Sequence, residues 1–249
     1  MAAPTLHLNG LNPVQVAFSW GLLRTRHIDQ PFFVLADPAA ISLSMQFELQ
    51  SHWGDHCLFW IWQHAPQSSI TAALNLCQQL WPLWEKHPDA ALLAIGGGTT
   101  LDLSKVARFR LKDLNSAPDV WRSNLGAELE ENCQRHTLWC APTTAGTGSE
   151  VTASATVWDL EASPAVKRTW APPNGHADQA WVDPSLTLTC PWHVTRDTAL
   201  DTLAHALESL WNVKANEQTR PLAIEAARKV LQHLPPLCST CKTPIAVPP

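Results

Sequence analysis

Along the first half of the chain, apolar residues come in short unbroken runs separated by polar turns, the pattern of strands buried on both faces of a sheet. Residues 31–36 (PFFVLA) form one such run, stopped by Asp37-Pro38, and residues 57–62 form a second. The period then changes. Across 69–84, Ile70, Leu74, Cys77, Leu80 and Trp84 recur at helical spacing before 90–95 (AALLAI) returns to the unbroken run. Strand, helix, strand is the parallel crossover unit of an α/β fold. Residues 101–109 predict another helix, 137–141 another strand, and 155–158 with 180–182 two shorter strands of the same sheet domain. Beyond Asp183-Pro184 the pattern is helical throughout. Leu200, Leu203, Ala204, Leu207 and Leu210 share a face within 195–211, and 221–234 opens with Pro221 behind Thr219. The reading is a Rossmann-like parallel-sheet domain over 1–184, followed by the start of an all-helical domain over 185–249. Its proline-rich end, aberrant from about 238, is expected to stop the last helix.

Composition narrows the classes. With 45% apolar and 16% charged residues in 249, the chain is a packed protein, not a disordered or fibrous one. Seventeen Lys+Arg against 22 Asp+Glu, with no basic run, argue against nucleic acid as a partner. No run approaches a membrane span and the start lacks a signal pattern, so the cytoplasm is the expected compartment. The cysteines are odd in number, seven, and irregularly spaced, so no disulfide framework is expected. Cys238 and Cys241 make one C-x-x-C without a second pair. Thirteen Trp with no Tyr read as core surface.

Candidate chemistry lies in three segments. AIGGGTTLDLSK, 94–105, carries a strand into three glycines and a helix start, where free backbone N–H groups and a positive dipole end suit a pyrophosphate; a bare GGG is also a plain tight turn. Asp102 and Lys105, three apart on that helix, read as a solvated ion pair. PTTAGTGSEVT, 142–152, gathers hydroxyls behind a strand, as ribose, phosphate and amide contacts need, or as a polar capping loop does. Asp37 closes the first strand either as a turn residue or as an acceptor for a ribose that repels a 2′-phosphate. In ALDTLAHALES, Asp201 and His205 share a helical face and suit a divalent Zn or Fe site, but a real site needs at least three protein ligands, and His176, His193 and His233 have no spacing that ties them to the pair.

GGGTTLDLSK, PTTAGTGSE, Lys167 before AWVDP, and DTLAHALES together resemble the iron-dependent (group III) alcohol dehydrogenases, in order and spacing, from about Val14 to about Leu234. The resemblance implies a dehydroquinate synthase-like architecture. It implies that Gly97, Gly98 and Thr99 hold the pyrophosphate of NAD(H), and that Thr143, Thr144, Thr147 and Ser149 line its nicotinamide side. Asp102 and Lys167 match cofactor-pocket positions, Asp37 matches the position that favours NAD, and Asp201 and His205 match two of four ligands for Fe(II) or Zn(II). The implied reaction reduces a small aldehyde or oxidises an alcohol. The 187–212 stretch looks most like phosphonoacetaldehyde reductases, with Arg196 a candidate for the anionic group. The two remaining family ligands are histidines beyond residue 249, so the resemblance implies a C-terminally truncated chain, inactive as it stands. It leaves a homodimer open. The alternatives are a non-catalytic nucleotide-binding remnant and an enzyme of the glycerol phosphate dehydrogenase or dehydroquinate synthase type.

Overall fold

The computed structural model describes residues 5–6, 12–123, 129 and 133–240; the tail from 241 and the Cys238 and Cys241 side chains lie outside the described residues. The chain divides into two compact units, Met1–Thr143 with Gly148–Thr189, and Thr144–Thr147 with Cys190–Pro249.

The first unit is built on a seven-stranded sheet of order β1-β2-β11-β8-β5-β3-β4. Its strands are β1 (Thr5–Leu6), β2 (Gln15–Phe18), β3 (Phe32–Ala36), β4 (Cys57–Trp62), β5 (Ala91–Gly96), β8 (Leu138–Pro142) and β11 (Gln179–Val182). Every neighbouring pair is parallel except β1 with β2. β3, β5 and β8 are buried along their whole length, which is why they read as unbroken apolar runs. Alternate side chains serve opposite layers. Phe33, Leu35, Leu92 and Ala94 join the core under α3 (Ile70–Lys86), α4 (Gly98–Ala107) and α5 (Ala117–Ser123). Phe32, Val34, Leu93 and Ile95 join that under α1 (Leu22–Thr25) and α2 (Leu43–Trp53). Ser69 caps α3 by accepting from the Ala72 N–H, and Ser42 caps α2 by accepting from the Met45 N–H. Seven of the tryptophans, Trp53, Trp81, Trp84, Trp121, Trp139, Trp170 and Trp181, are buried in the core, with Trp81 Nε1 donating to the Ala107 carbonyl and Trp84 Nε1 to that of Ala90, whereas Trp20 and Trp211 are exposed.

Four details differ from the sequence reading. β9 (Ala155–Asp159) pairs with β10 (Val166–Trp170) in its own antiparallel hairpin instead of joining the large sheet. Its burial alternates along its length, as suits a strand with one solvated face. The helix expected at 101–109 begins earlier, at Gly98, and stops at Ala107, because Phe109–Leu111 pairs as β6 with β7 (Cys133–Arg135). α2 and β2 carry no strong period and were not legible. In the second unit, α6 (Trp192–Trp211) precedes α7 (Thr219–Thr240), which runs through Pro235 and Pro236 past the expected stop at Leu234. Proline's φ is already helical, and the carbonyls it fails to bond lie on exposed turns where water serves them.

A buried polar knot braces the amino ends of β8 and β11, where Asp178 also accepts from the Leu138 N–H. Arg108 is fully buried, with Nε donating to the His136 carbonyl at 2.7 Å, Nη1 to the His176 carbonyl at 2.6 Å, and Nη2 paired with Asp178. Burial pulls its pKa down to about 10, so the charge survives at neutral pH. His136 stacks flat on Trp84, ring centroids 4.1 Å apart. Burial, aided by Arg110, pushes the His136 pKa down to about 4. The unfolded chain takes up a proton on His136 near pH 6.5 that the fold refuses until about pH 4. Stability from this residue is therefore complete above pH 6.5 and drains as pH falls towards 4, by up to about 3 kcal/mol. His136→Phe keeps the stack and removes the titration. Urea unfolding at pH 7 and pH 4.5 is expected to show a smaller acid loss in the variant than in the parent, and equal losses would refute the assignment.

Candidate functional site

The sheet topology creates one crevice before any side chain is considered. From β3 the chain moves out to β4, whereas from β5 it moves the other way to β8, so the loops behind β3 and β5 part at their carboxyl ends. This is a topological switch point, where open parallel sheets bind ligands. Asp37 and the three glycines sit there. β3 and β5 run in register to Ala36 and Ile95, and the Asp37 N–H donates to the Ile95 carbonyl at 2.9 Å. One Asp37 carboxylate oxygen accepts from the Ala39 N–H at 2.8 Å, so the turn role is real and uses one oxygen.

Gly96 ends β5, and Gly97 stands as the N-cap of α4 with no side-chain cap. The first amides of α4, at Gly98, Thr99 and Thr100, therefore present their dipole end towards the crevice, with no acidic residue in the first turn of the helix. A Cβ on Gly96 would lie 2.5 Å from Thr100 Oγ1 and 2.6 Å from Thr100 Cβ. Gly96→Ala is expected to cost about 2 kcal/mol through this clash. Thr100→Ala should not relieve it, because the Cβ contact remains; thermal melts of the single and double variants decide, and a neutral Gly96→Ala would overturn the reading.

Beside this turn, the Thr143 N–H donates to the Gly96 carbonyl at 3.1 Å, so the hydroxyl-rich loop starts flush against the glycine loop. Asp102 and Lys105 are not the solvated pair that their spacing suggested. Lys105 is 1% exposed, its Nζ donating to the carbonyls of Thr152 (3.2 Å) and Ser154 (2.6 Å) and to the Thr152 hydroxyl, with Asp102 at 3.5 Å. Asp102 accepts from the Ser149 hydroxyl at 2.6 Å and from the Thr156 N–H at 2.9 Å. Spacing of three shows that two side chains share a helix face, not what covers it. Here the face is turned towards the 149–156 segment, and the pair clamps that segment to α4. Desolvation lowers the Lys105 pKa against the pull of Asp102, and burial holds the neighbouring Cys140 thiol up at about 12, an inert group.

Sequence reasoning missed the cleft beside the Asp37 turn. About 730 Å³ is bounded by apolar residues such as Trp20, Pro38, Leu186 and Leu188 and by polar ones such as Arg24, Ser42 and Glu48, a mixed lining with room for a ring and its polar edge. Asp183 shapes it, accepting from the Gly21 and Leu23 N–H groups and so fixing the 20–23 turn against β11. The only signal in the sequence was the Asp183-Pro184 dipeptide, which had read as a boundary.

The other predicted residues are distributed differently. Lys167 is exposed on β10 opposite Trp158, in a different sheet from the glycine turn. Thr144 and Thr147 belong to the second unit, where the Ala145 carbonyl accepts from the Thr202 hydroxyl on α6. On α6, Asp201 Oδ1 lies 3.4 Å from His205 Nε2, and Glu208 lies 3.7 Å from Nδ1. An oxygen and an imidazole one helical turn apart fit two corners of a divalent-metal site. Among the described residues no group of three or more His, Cys, Asp or Glu could hold a metal. His193 and His233 are exposed, His176 lines a separate cavity with Arg135 and Asp178, and Arg196 pairs with Asp197. No helix among the described residues is long and apolar enough to cross a membrane.

The family model for iron-containing alcohol dehydrogenase matches residues 34–184. The chain is 35% identical over 171 residues to a 1-propanol dehydrogenase of Citrobacter freundii, covering 68% of this chain and 40% of that protein. It is 36% identical over 147 residues to long-chain-alcohol dehydrogenase 1 of Geobacillus thermodenitrificans, covering 57% and 35%. In fold it is similar to sulfoacetaldehyde reductase from Bifidobacterium kashiwanohense in complex with NAD+, with TM-score 0.76, 22% identity, and 92% and 60% of the two chains covered. The NADH-dependent butanol dehydrogenase A of Thermotoga maritima gives TM-score 0.71 at 18% identity, with 95% and 58% covered. The chain thus spans less than half the length of these two sequence relatives.

Proposed function

Because this chain belongs to the iron-containing alcohol dehydrogenase family, we propose that it forms the NAD(H)-binding part, and the opening of the metal-bearing part, of an alcohol dehydrogenase or aldehyde reductase. The observation that carries the proposal is the pairing of Asp37 with the uncapped start of α4 across one switch point. In this reading the amides of Gly98 and Thr99, with Gly97, take the pyrophosphate. Asp37 accepts from the adenosine ribose, and the adenine enters the cleft between Trp20 and Leu186. Thr143 and Ser149 line the nicotinamide side, with Asp102 fixing the Ser149 hydroxyl, and Thr144 and Thr147 are kept as cofactor contacts on the resemblance. Lys167 is retained as a cofactor contact on the resemblance alone.

Asp201 and His205 would hold one side of Fe(II) or Zn(II). When bound, such an ion polarises the carbonyl oxygen and stabilises the developing alkoxide. The substrate class is a small aldehyde carrying an anionic group, phosphonoacetaldehyde in the finer assignment, and the compartment is the cytoplasm. A second reading, a nucleotide-binding chain without turnover, is supported by the count of two metal donors among the described residues. Calorimetric titration tests the common premise. NAD+ is expected to bind and ADP-ribose to compete with it; a chain that binds neither is no dinucleotide protein.

A further inference from the structure

The amino ends of the parallel strands, opposite the glycine turn, hold a polar trough that the cofactor reading does not use. One cavity of about 360 Å³ is lined by Arg26, Gln30 and Gln179, and another of about 440 Å³ by Gln15, Arg135 and Asn174, among others. Gln30, Trp139 and Gln179 line both, so the two adjoin. Gln15 on β2, Gln179 on β11 and Trp139 on β8 stand in register, side by side on one face of the sheet. The chain passes to the helical unit after Thr143 and after Thr189, behind the carboxyl ends of β8 and β11. The trough opens at the other ends of those strands.

Arg26 is its fixed point. The Arg26 Nη2 donates to Gln179 Oε1 at 2.8 Å, and the guanidinium carbon lies 4.4 Å from the centroid of the Trp181 ring. Trp181 Nε1 donates to the same Gln179 oxygen at 2.8 Å, and Trp139 stacks behind Trp181 with ring centroids 4.9 Å apart. Only an amide oxygen accepts from two N–H donors, so the Gln179 carboxamide is locked with its NH2 turned away from them. Both partners of the guanidinium are neutral. Burial pulls the Arg26 pKa down, and among the described residues no carboxylate offsets that loss of water. A cation held rigid, half out of water and without a counter-ion, is a site an anion stabilises.

The far side of the trough repeats the imbalance. Arg135 Nη2 pairs with Asp178 Oδ1 at 2.7 Å while Arg108 takes the other oxygen, so two guanidinium groups share one carboxylate. Asp178 also accepts from the Leu138 N–H, and Asp29 at the exposed rim pairs with His27 at 3.2 Å. The acidic oxygens of the trough are thus engaged. What remains is donors: Arg26, Arg135, and the amides of Gln15, Gln30 and Asn174.

We propose that this trough is a second ligand site, for a small dianion that sets one anionic group on Arg26 and the other on Arg135. Its ligand class is a dicarboxylate or a phosphorylated carboxylate, and it is separate from the crevice behind β3 and β5.

Calorimetric titration of the 249-residue chain at fixed ionic strength is expected to give a dissociation constant at or below about 1 mM for succinate or phosphoglycolate. Either acid supports the site, and the tighter one names its anion. Succinamide, the same skeleton without charge, should not bind. Arg26→Met keeps a long side chain over Trp181 and should raise the constant at least about 10-fold while circular dichroism is unchanged. Arg135→Gln, at an exposed position, should raise it about as much, and decides alone should the Arg26 variant fail to fold. Saturating ADP-ribose should leave the affinity for succinate as it was. No binding of either acid by the parent chain up to about 20 mM overturns the proposal. So does binding unchanged in either folded variant, binding of succinamide as tight as succinate, or competition by ADP-ribose, which would put the dianion at the glycine turn.

Discussion

Given Fe(II) or Zn(II), NADH and a small aldehyde, the purified 249-residue chain is expected to show no metal-dependent reduction above background. The argument is a donor count. Asp201 and His205 supply two protein contacts, and no group of three exists among the described residues. Catalytic sites use three or more, because the ligands supply both affinity and the geometry that aims the ion at the substrate oxygen. Four-ligand sites bind zinc by roughly 10–16 kcal/mol, so half a set leaves a site no tighter than about micromolar. Asp201 and His205 are also partly exposed, so water competes for the ion. Metal titration against a chelating indicator, with and without His205→Ala, should give weak binding that weakens further in the variant. Robust metal-dependent turnover would overturn this account and require a third donor from His176, His193, His233 or another chain.

Cofactor choice is the second large effect. A 2′-phosphate bound at the switch point would sit beside the Asp37 carboxylate in a partly desolvated crevice. At roughly 5 Å and an effective dielectric near 20, that repulsion is about 3 kcal/mol before salt screening. NAD+ is therefore expected to bind about 10- to 100-fold more tightly than NADP+. Asp37→Gly should bring the two within about threefold, mostly by improving NADP+. The variant also loses the hydrogen bond to the Ala39 N–H, so its melting temperature should fall slightly while NAD+ binding persists. High salt should narrow the preference of the parent and leave the variant unchanged. Equal binding of both cofactors by the parent chain would remove Asp37 from the site.

The amino-acid sequence by itself determined the α/β class, the order of the central elements and the glycine turn. An apolar run as short as 31–36, closed by the Asp37-Pro38 turn, fits a strand covered on both sides better than a helix, and a glycine cluster between strand and helix restricts the backbone locally. These are short-range constraints, readable from neighbours in the chain. What only the tertiary structure decided concerns long-range partners. The Asp102–Lys105 pair looks the same in sequence whether it faces water or Ser149, Thr152 and Ser154, and its burial follows from the return of the chain some 50 residues later. β9 could be named a strand but not placed, since a run of five residues does not say which edge it will find. Leu203 and Leu207 belong to one helical stripe, yet α7 covers the first and not the second. A helical period fixes the direction in which a side chain points; what lies in that direction is set by segments far along the chain.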